Sequence, residues 1–205
     1  MSCFGRRVIG LTGGISTGKS SVARFFEQRD IPVIDADRLA RDAVQPGSPA
    51  LKHIVELFGE RVLQPDGSLD RKSLGMLVFA DAGKRRQLET VLHPQIRELA
   101  EAGIARASAE GHQRVIYSAP LLIEAGVTDR VDEIWVVTVR PEIQLARLMR
   151  RDGISLEEAE RIISSQMPLS QKERYGSQII DNSGTPEQTE RILENIWARE
   201  TGNPA

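Results

Sequence analysis

The chain has one cysteine, Cys3, in 205 residues. A single thiol closes no intrachain disulfide and builds no cysteine-based zinc site, so a reducing, intracellular setting is expected. The three histidines, His53, His93 and His112, are scattered, and no metal cluster is read from them. Long apolar runs are missing as well. The apolar stretch that follows Arg6 and Arg7 breaks at Thr12 and Gly13, too soon for a signal-peptide core, and no window approaches the ~18 apolar residues of a membrane span. A cytoplasmic protein is expected. An excess of one charge is also absent: the formal net charge is -2, so neither a long nucleic acid nor an anionic membrane has bulk electrostatic support as a partner. Local basic clusters can still hold a small anion. No repeat, low-complexity segment or linker interrupts the chain, and 40% apolar with 27% charged residues suits one globular domain with insertions. Only the tail, ETGNPA, reads as frayed. The oligomeric state is not written in these features.

What is present is an alternation of short apolar runs with helical patterns. RVIGLTG, IPVIDAD, RVIYSAP, EIWVVTV and SQIIDN read as strands, with helices between them, which predicts a parallel sheet covered on both faces. The runs are unevenly spaced. From about Asp35 to Gln113 no core strand appears; a turn at Asp66-Gly67, an N-cap at Asp70, a helix break before Pro94 and a helix end at Gly111 predict a helical insertion. A smaller insertion spans roughly Pro141 to Tyr175, where SLEE starts a helix with a capping-box pattern.

The first strand runs into GLTGGISTGKSS. Gly13-x4-Gly18-Lys19-Ser20 matches the Walker A pattern between a predicted strand and a predicted helix. Glycines let backbone N–H groups curl around an anion, and a helix starting near Gly18 adds its positive dipole end. Lys19 would reach the β- and γ-phosphates of ATP, and the Ser20 hydroxyl would hold Mg²⁺. Ligands of an open parallel sheet gather at the carboxyl ends of the strands, where IPVID ends at Asp35. Asp35 and Asp37, two apart, can point to one side and serve an attacking hydroxyl. The alternative is that Asp37 caps the helix RLARDAV and Asp35 closes a turn.

Two further absences narrow the chemistry. The third strand ends in Tyr117-Ser118-Ala119, without the Walker B acid of generic P-loop ATPases, and none of the three asparagines precedes a lysine, so the base selector of a GTPase switch is lacking. A D-x-x-G occurs at Asp181 to Gly184, too late to act as such a switch. A nucleotide-state switch is thus disfavoured, and transfer to an acceptor hydroxyl or phosphate, as in a nucleoside monophosphate or shikimate kinase, stays open. Arg147 and Arg151, four apart with Arg150 at their border, share a helical face suited to clamping phosphate or to lying solvated. Glu157 is placed to pair with Arg161. Asn182 lies just past the fifth strand, as a base contact or a turn residue.

In order, LTGGISTGKS, VIDAD, PGSPA, DGSLDR, LHP, PLLIE, LARLMRRDGIS, RIISSQ and DNSG follow the spacing of dephospho-CoA kinase, and the chain resembles that family from about residue 7 to 190. The resemblance implies a P-loop NTPase fold of the α/β class, a five-stranded parallel sheet of order 2-3-1-4-5 with helices on both faces. Its core would cover about 7-36, 112-140 and 176-200, with a helical acceptor-binding insertion over about 37-111 and a lid over about 141-175. It also implies the reaction, transfer of the ATP γ-phosphoryl to the ribose 3′-hydroxyl of dephospho-CoA. Position by position, Asp37 matches the second Asp of the family's D-A-D as catalytic base, with Lys19 and Arg147 as further catalytic candidates, and Asp35 supports it or links to metal. The nucleotide side comprises Thr12, Gly13, Gly14, Ile15, Ser16, Thr17, Gly18, Lys19, Ser20 and Ser21 with Arg147, Arg151 and Asn182. On the acceptor side stand Asp35, Asp37, His93, Leu122, Glu124 and Arg161, and Ser20 is the metal ligand. Where many relatives have Gly-Ser before the Gly-Lys, this chain has Ser16-Thr17. Ser16 is strained there if the position needs a glycine conformation.

Overall fold

Residues Val8 to Gly13 of the first strand, β1 (Arg7–Gly13), are all buried. An apolar run with no polar face is satisfied by a strand covered on both sides, and β1 takes the centre of the sheet. It pairs in parallel with β3 (Arg114–Ser118) on one flank and β4 (Glu133–Thr138) on the other, so that Leu11 stands opposite both Ser118 and Trp135. β5 (Gln178–Asp181) continues in parallel beyond β4, and β2 (Val33–Asp35) lies beyond β3, giving the order β2-β3-β1-β4-β5 expected from the sequence. The computed structural model describes residues 7–79 and 81–202; Cys3, Arg6 and the last three residues of the tail lie outside the described residues. The chain divides into two compact units, one running to Val33 and resuming at Ala107, the other Ile34–Arg106.

The first unit is organised by β1 and the helix that follows it. α1 (Lys19–Glu27) carries Val22, Ala23, Phe25 and Phe26 on its buried face, the i, i+3, i+4 spacing of a helix laid on a sheet. Phe26 lies 5.8 Å from the Trp135 ring of β4 and 5.3 Å from Trp197. Such tilted and edge-on pairs each contribute about 0.5–1.5 kcal/mol beyond the area they bury. Trp197 belongs to α9 (Pro186–Thr201), which opens with a reciprocal capping box of Thr185 and Gln188 and closes on Gly202 at φ 68. The start of ETGNPA is therefore helical rather than frayed. Thr201 donates to Trp197 O at 2.9 Å, and Arg7 holds the Glu200 carboxylate at 2.7 Å. Between β4 and β5 stand α6 (Pro141–Asp152), α7 (Leu156–Ser164) and α8 (Leu169–Lys172), the second insertion expected from the sequence. Ser155 caps α7, its hydroxyl accepting from Glu158 N at 3.2 Å.

The second unit contains α2 (Ala36–Asp42), α3 (Pro49–Phe58), α4 (Arg71–Phe79) and most of α5 (Ala82–Ala109). Ser48 caps α3 with Pro49 in its first turn, and Gly59 ends it at φ 81. The core gathers Leu51, Ile54, Phe58, Val62 and Leu74, with Leu88, Val91 and Leu92 of α5 packed against it. Asp70 is the N-cap of α4, its Oδ1 accepting from the backbone N of Lys72 and Ser73, both at 3.0 Å. Pro94 does not break its helix: α5 runs through it from Ala82 to Ala109. Its ring lies on the exposed side while Val91 and Leu92 hold the preceding turn to the core, offsetting a lost backbone bond that costs about 3 kcal/mol. Among the described residues no helix is long and apolar enough to cross a membrane.

Candidate active site

The cradle predicted from the sequence is built where β1 turns into α1. A side chain at Gly13 would place its Cβ 2.7 Å from Val137 O, so the strand can leave the sheet here only as glycine. Gly18, the N-cap of α1, has φ 88, and a Cβ on it would collide with the Asn182 side-chain amide. Between these two the loop is tied internally: Thr17, wholly buried, donates its hydroxyl to Gly14 O at 2.9 Å. Asn182 spans from the end of β5, donating Nδ2 to Thr17 O at 2.7 Å and accepting at Oδ1 from Thr189 at 2.7 Å. Asn182 therefore fastens the loop to the fifth strand. Ser16 does adopt the glycine conformation, with φ 58, and its hydroxyl is buried with no hydrogen-bond partner.

Lys19 enters α1 directly after the loop and donates Nζ to Ser118 Oγ at 2.6 Å. Ser118 ends β3, where a Walker B aspartate would stand. A neutral hydroxyl there orients the ammonium without cancelling its charge. Ser20 and Ser21 follow on the exposed side of the first helical turn. A cavity of about 360 Å³ opens beside the loop, bringing together Gly18, Ser21, Arg147 and Asn182 with Arg24, Phe25 and Pro186. This joins four of the residues expected on the nucleotide side, and adds an arginine and an aromatic ring that the sequence did not single out. Arg24 and Phe25 lie one turn beyond Ser20 and Ser21 on α1, a helical spacing from which Arg24 could have been found.

Thr12 is buried and donates to Pro120 O at 3.2 Å, joining β1 to the segment after β3. Arg151 sits on α6 and binds Asp152 through two bonds of 2.6 and 2.8 Å. That side-chain bonding raises the Arg151 guanidinium and lowers the Asp152 carboxyl from their ordinary values. Arg161, exposed, approaches Glu158 at 3.9 Å rather than the expected Glu157, since the i, i+3 pair is the one brought together on α7. Leu122 is wholly buried, and Glu124 holds Lys172 Nζ at 2.7 Å and accepts from Met167 N at 3.3 Å. Lys172 itself has no exposed surface and donates a second bond to Pro120 O at 2.7 Å. In the second unit, Asp35 rather than Asp37 is the cap of α2, accepting from the N–H groups of Asp37 and Arg38 at 2.8 and 3.2 Å. His93 lies on the exposed side of α5.

The dephospho-CoA kinase family model matches residues 7–188. A dephospho-CoA kinase of Geobacter sulfurreducens is 53% identical over 192 residues, 94% of this chain and 98% of that protein. The chain belongs to the dephospho-CoA kinase family. A crystal structure from Thermus thermophilus matches with a TM-score of 0.81 at 32% identity over 95% of this chain and 97% of that one. The dephospho-CoA kinase from Campylobacter jejuni matches with a TM-score of 0.72 at 26% identity, covering 96% of this chain and 98% of that chain. The P-loop kinase fold and the phosphotransferase class expected from the sequence thus hold for the chain. Within this family member, Ser118, Gln144, Gln166 and Lys172 touch the cradle or its supports; the sequence names Ser118 only as the end of a strand without an acid and gives none of the four a role. Each lies far from its partner along the chain.

Proposed function

We propose that this dephospho-CoA kinase binds ATP with its triphosphate in the Gly13–Ser21 loop and its nucleoside toward the cavity beside Arg24, Phe25, Arg147 and Asn182, and passes the γ-phosphoryl to the ribose 3′-hydroxyl of dephospho-CoA. The loop's N–H groups and the start of α1 favour the phosphates, and Lys19, already oriented by Ser118, adds the fixed positive charge that phosphoryl transfer needs. Arg147 and, once released from Asp152, Arg151 share one face of α6 and are assigned to the charge spreading over the transferred group. Among the described residues no three acidic, histidine or cysteine side chains gather around a metal position. The exposed Ser20 hydroxyl, completed by phosphate oxygens and water, is instead the sparse oxygen set that Mg²⁺ accepts. That ion would neutralise part of the phosphate charge.

On the acceptor side, Asp37 is assigned as the carboxylate that takes the proton of the 3′-hydroxyl while its oxygen forms the new P–O bond and the β,γ-bridging bond breaks to release ADP. The observation that carries this assignment is that Asp35 fills the cap of α2, the structural role that competed for Asp37. Asp35, His93 and Arg161 are assigned as acceptor contacts. Leu122 and Glu124 are assigned as supports of the acceptor side, Leu122 wholly buried and Glu124 bonded to Lys172 Nζ and Met167 N. Residues 141–175 are assigned as a lid that keeps water from the γ-phosphate. The coenzyme A product and the absence of a membrane-length helix among the described residues fit work in the cytoplasm. Replacing Asp37 with Asn is expected to lower kcat by about 10²–10⁴ while the KM for ATP changes little. Steady-state kinetics with both substrates varied reads this directly, and an unchanged kcat would take the base role away from Asp37.

A further inference from the structure

Ile15, at the apex of the phosphate loop, is gripped at both ends of its backbone by side chains remote in sequence. Gln144 of α6 donates Nε2 to Ile15 O at 2.8 Å, and Gln166, just past α7, accepts at Oε1 from Ile15 N at 2.8 Å. The next residue is Ser16, a side-chain-bearing residue at φ 58 whose buried hydroxyl has no partner. L-residues avoid this conformation, because Cβ crowds the following carbonyl oxygen, and a buried hydroxyl without a partner adds a second penalty. A loop with these two costs would relax to another shape unless its neighbours fix it.

The two glutamines are well placed to do so. Gln144 is 5% exposed and shares an α6 face with Arg147, three residues on. The segment carrying Gln166 is itself anchored one residue later, where Met167 N–H meets Glu124, and Glu124 is held by the buried Lys172. We propose that Gln144 and Gln166 are positioning residues that hold the phosphate loop in its nucleotide-ready shape against the strain at Ser16. The proposal rests on the reading of this loop as the ATP cradle. It explains why the loop tolerates serine where the backbone asks for glycine, and it ties α6, the bearer of Arg147, to the phosphates it serves.

The proposal implies that the glutamines matter in proportion to the strain they oppose. The test measures the KM for ATP, with dephospho-CoA saturating, for Gln144→Ala and Gln166→Ala in the native background and in a Ser16→Gly background, each compared with its own parent. In the native background each substitution is expected to raise the KM for ATP about tenfold, the value of one buried hydrogen bond, with little effect on the KM for dephospho-CoA. In the Ser16→Gly background the penalty should shrink to about twofold or less, because glycine needs no restraint at this φ. Gln144→Met fills much the same space without a strong hydrogen-bond donor, and should reproduce Gln144→Ala if the smaller variant folds poorly. A Ser16→Ala background, which keeps the strained backbone and removes only the hydroxyl, should retain most of the penalty.

Equal penalties in the Ser16 and Ser16→Gly backgrounds would overturn the proposal, since ordinary structural support is not relieved by a glycine next to the gripped residue. A lower KM for ATP in Gln166→Ala would also overturn it, by making Gln166 an occupant that phosphate must displace. Failure of the functional reading itself is distinct: the native protein would then form no coenzyme A from ATP and dephospho-CoA in any background.

Discussion

Glu124→Gln is expected to destabilise the protein rather than weaken its hold on dephospho-CoA. Lys172 has no exposed side-chain surface, and its ammonium is balanced by Glu124 Oε1 at 2.7 Å. Breaking a buried pair from one side costs about 3–5 kcal/mol, because the remaining charge stays unhydrated. Glutamine still accepts a hydrogen bond, Pro120 O still takes one from Lys172, and Glu124 is 22% exposed, all of which lower the cost. About 2–3 kcal/mol is then expected, and at about 2–4 °C of melting temperature per kcal/mol for a chain of this size the midpoint should fall by about 4–12 °C. Adding Lys172→Met to Glu124→Gln removes the stranded charge and should recover most of the loss, since Pro120 O keeps its bond from Thr12 at 3.2 Å. Thermal unfolding of the native protein and the two variants, read beside the KM for dephospho-CoA, decides the matter. An unchanged melting midpoint in Glu124→Gln with a raised acceptor KM would refute the reasoning and make Glu124 a substrate contact.

Gly18→Ala should weaken ATP binding by about a hundredfold, since a Cβ at φ 88 meets the Asn182 amide and both the left-handed backbone and the Asn182–Thr17 bond are compromised; near-native affinity in an ATP titration would contradict the placement of Asn182. A pH effect is expected in the helical unit. Hydrogen bonds from the Ser73 side chain and backbone hold the Asp70 carboxyl below its ordinary range, and those from Lys84 and Gly83 N–H do the same for Asp81. A depressed folded pKa means the stabilising contribution is complete above the unfolded value, about pH 3.9, and is lost as pH falls through the lower folded value. Far-UV circular dichroism should therefore hold down to about pH 4 and fade below it, and Asp70→Asn with Asp81→Asn should flatten that loss; an unaltered acid transition in the double variant would contradict it.

Features that are local in sequence are legible in the residues themselves. The cradle is one, because strand, glycine spacing and helix follow each other within a dozen residues. The caps at Asp70 and Ser155 are others, since a cap needs only its next three residues. The strand order comes from the family resemblance rather than from periodicity, which carries no information on which strands are neighbours. What the sequence hides is long-range: Lys19 and Ser118 are 99 residues apart, and Ile15 lies 129 and 151 from Gln144 and Gln166. Glutamines and lysines of ordinary helices give no local sign of such partners. Pro94 misleads for a related reason, since packing of Val91 and Leu92 outweighs a local rule about helix ends. Ser16 is legible in sequence only as a condition. Its left-handed backbone is a property of the folded loop, gripped from two sides by residues far along the chain.

The most direct test is to follow phosphorus through one turnover. ATP and dephospho-CoA are incubated with the protein, and ³¹P NMR and mass spectrometry follow the products, with adenosine, nucleoside monophosphates and shikimate as competing acceptors. One coenzyme A, phosphorylated at the ribose 3′-oxygen, should form for each ADP released, with the other acceptors left essentially untouched. Equal ADP release with every acceptor, or a phosphate found on another hydroxyl, would contradict the assignment of this cradle as the donor half of a 3′-hydroxyl kinase.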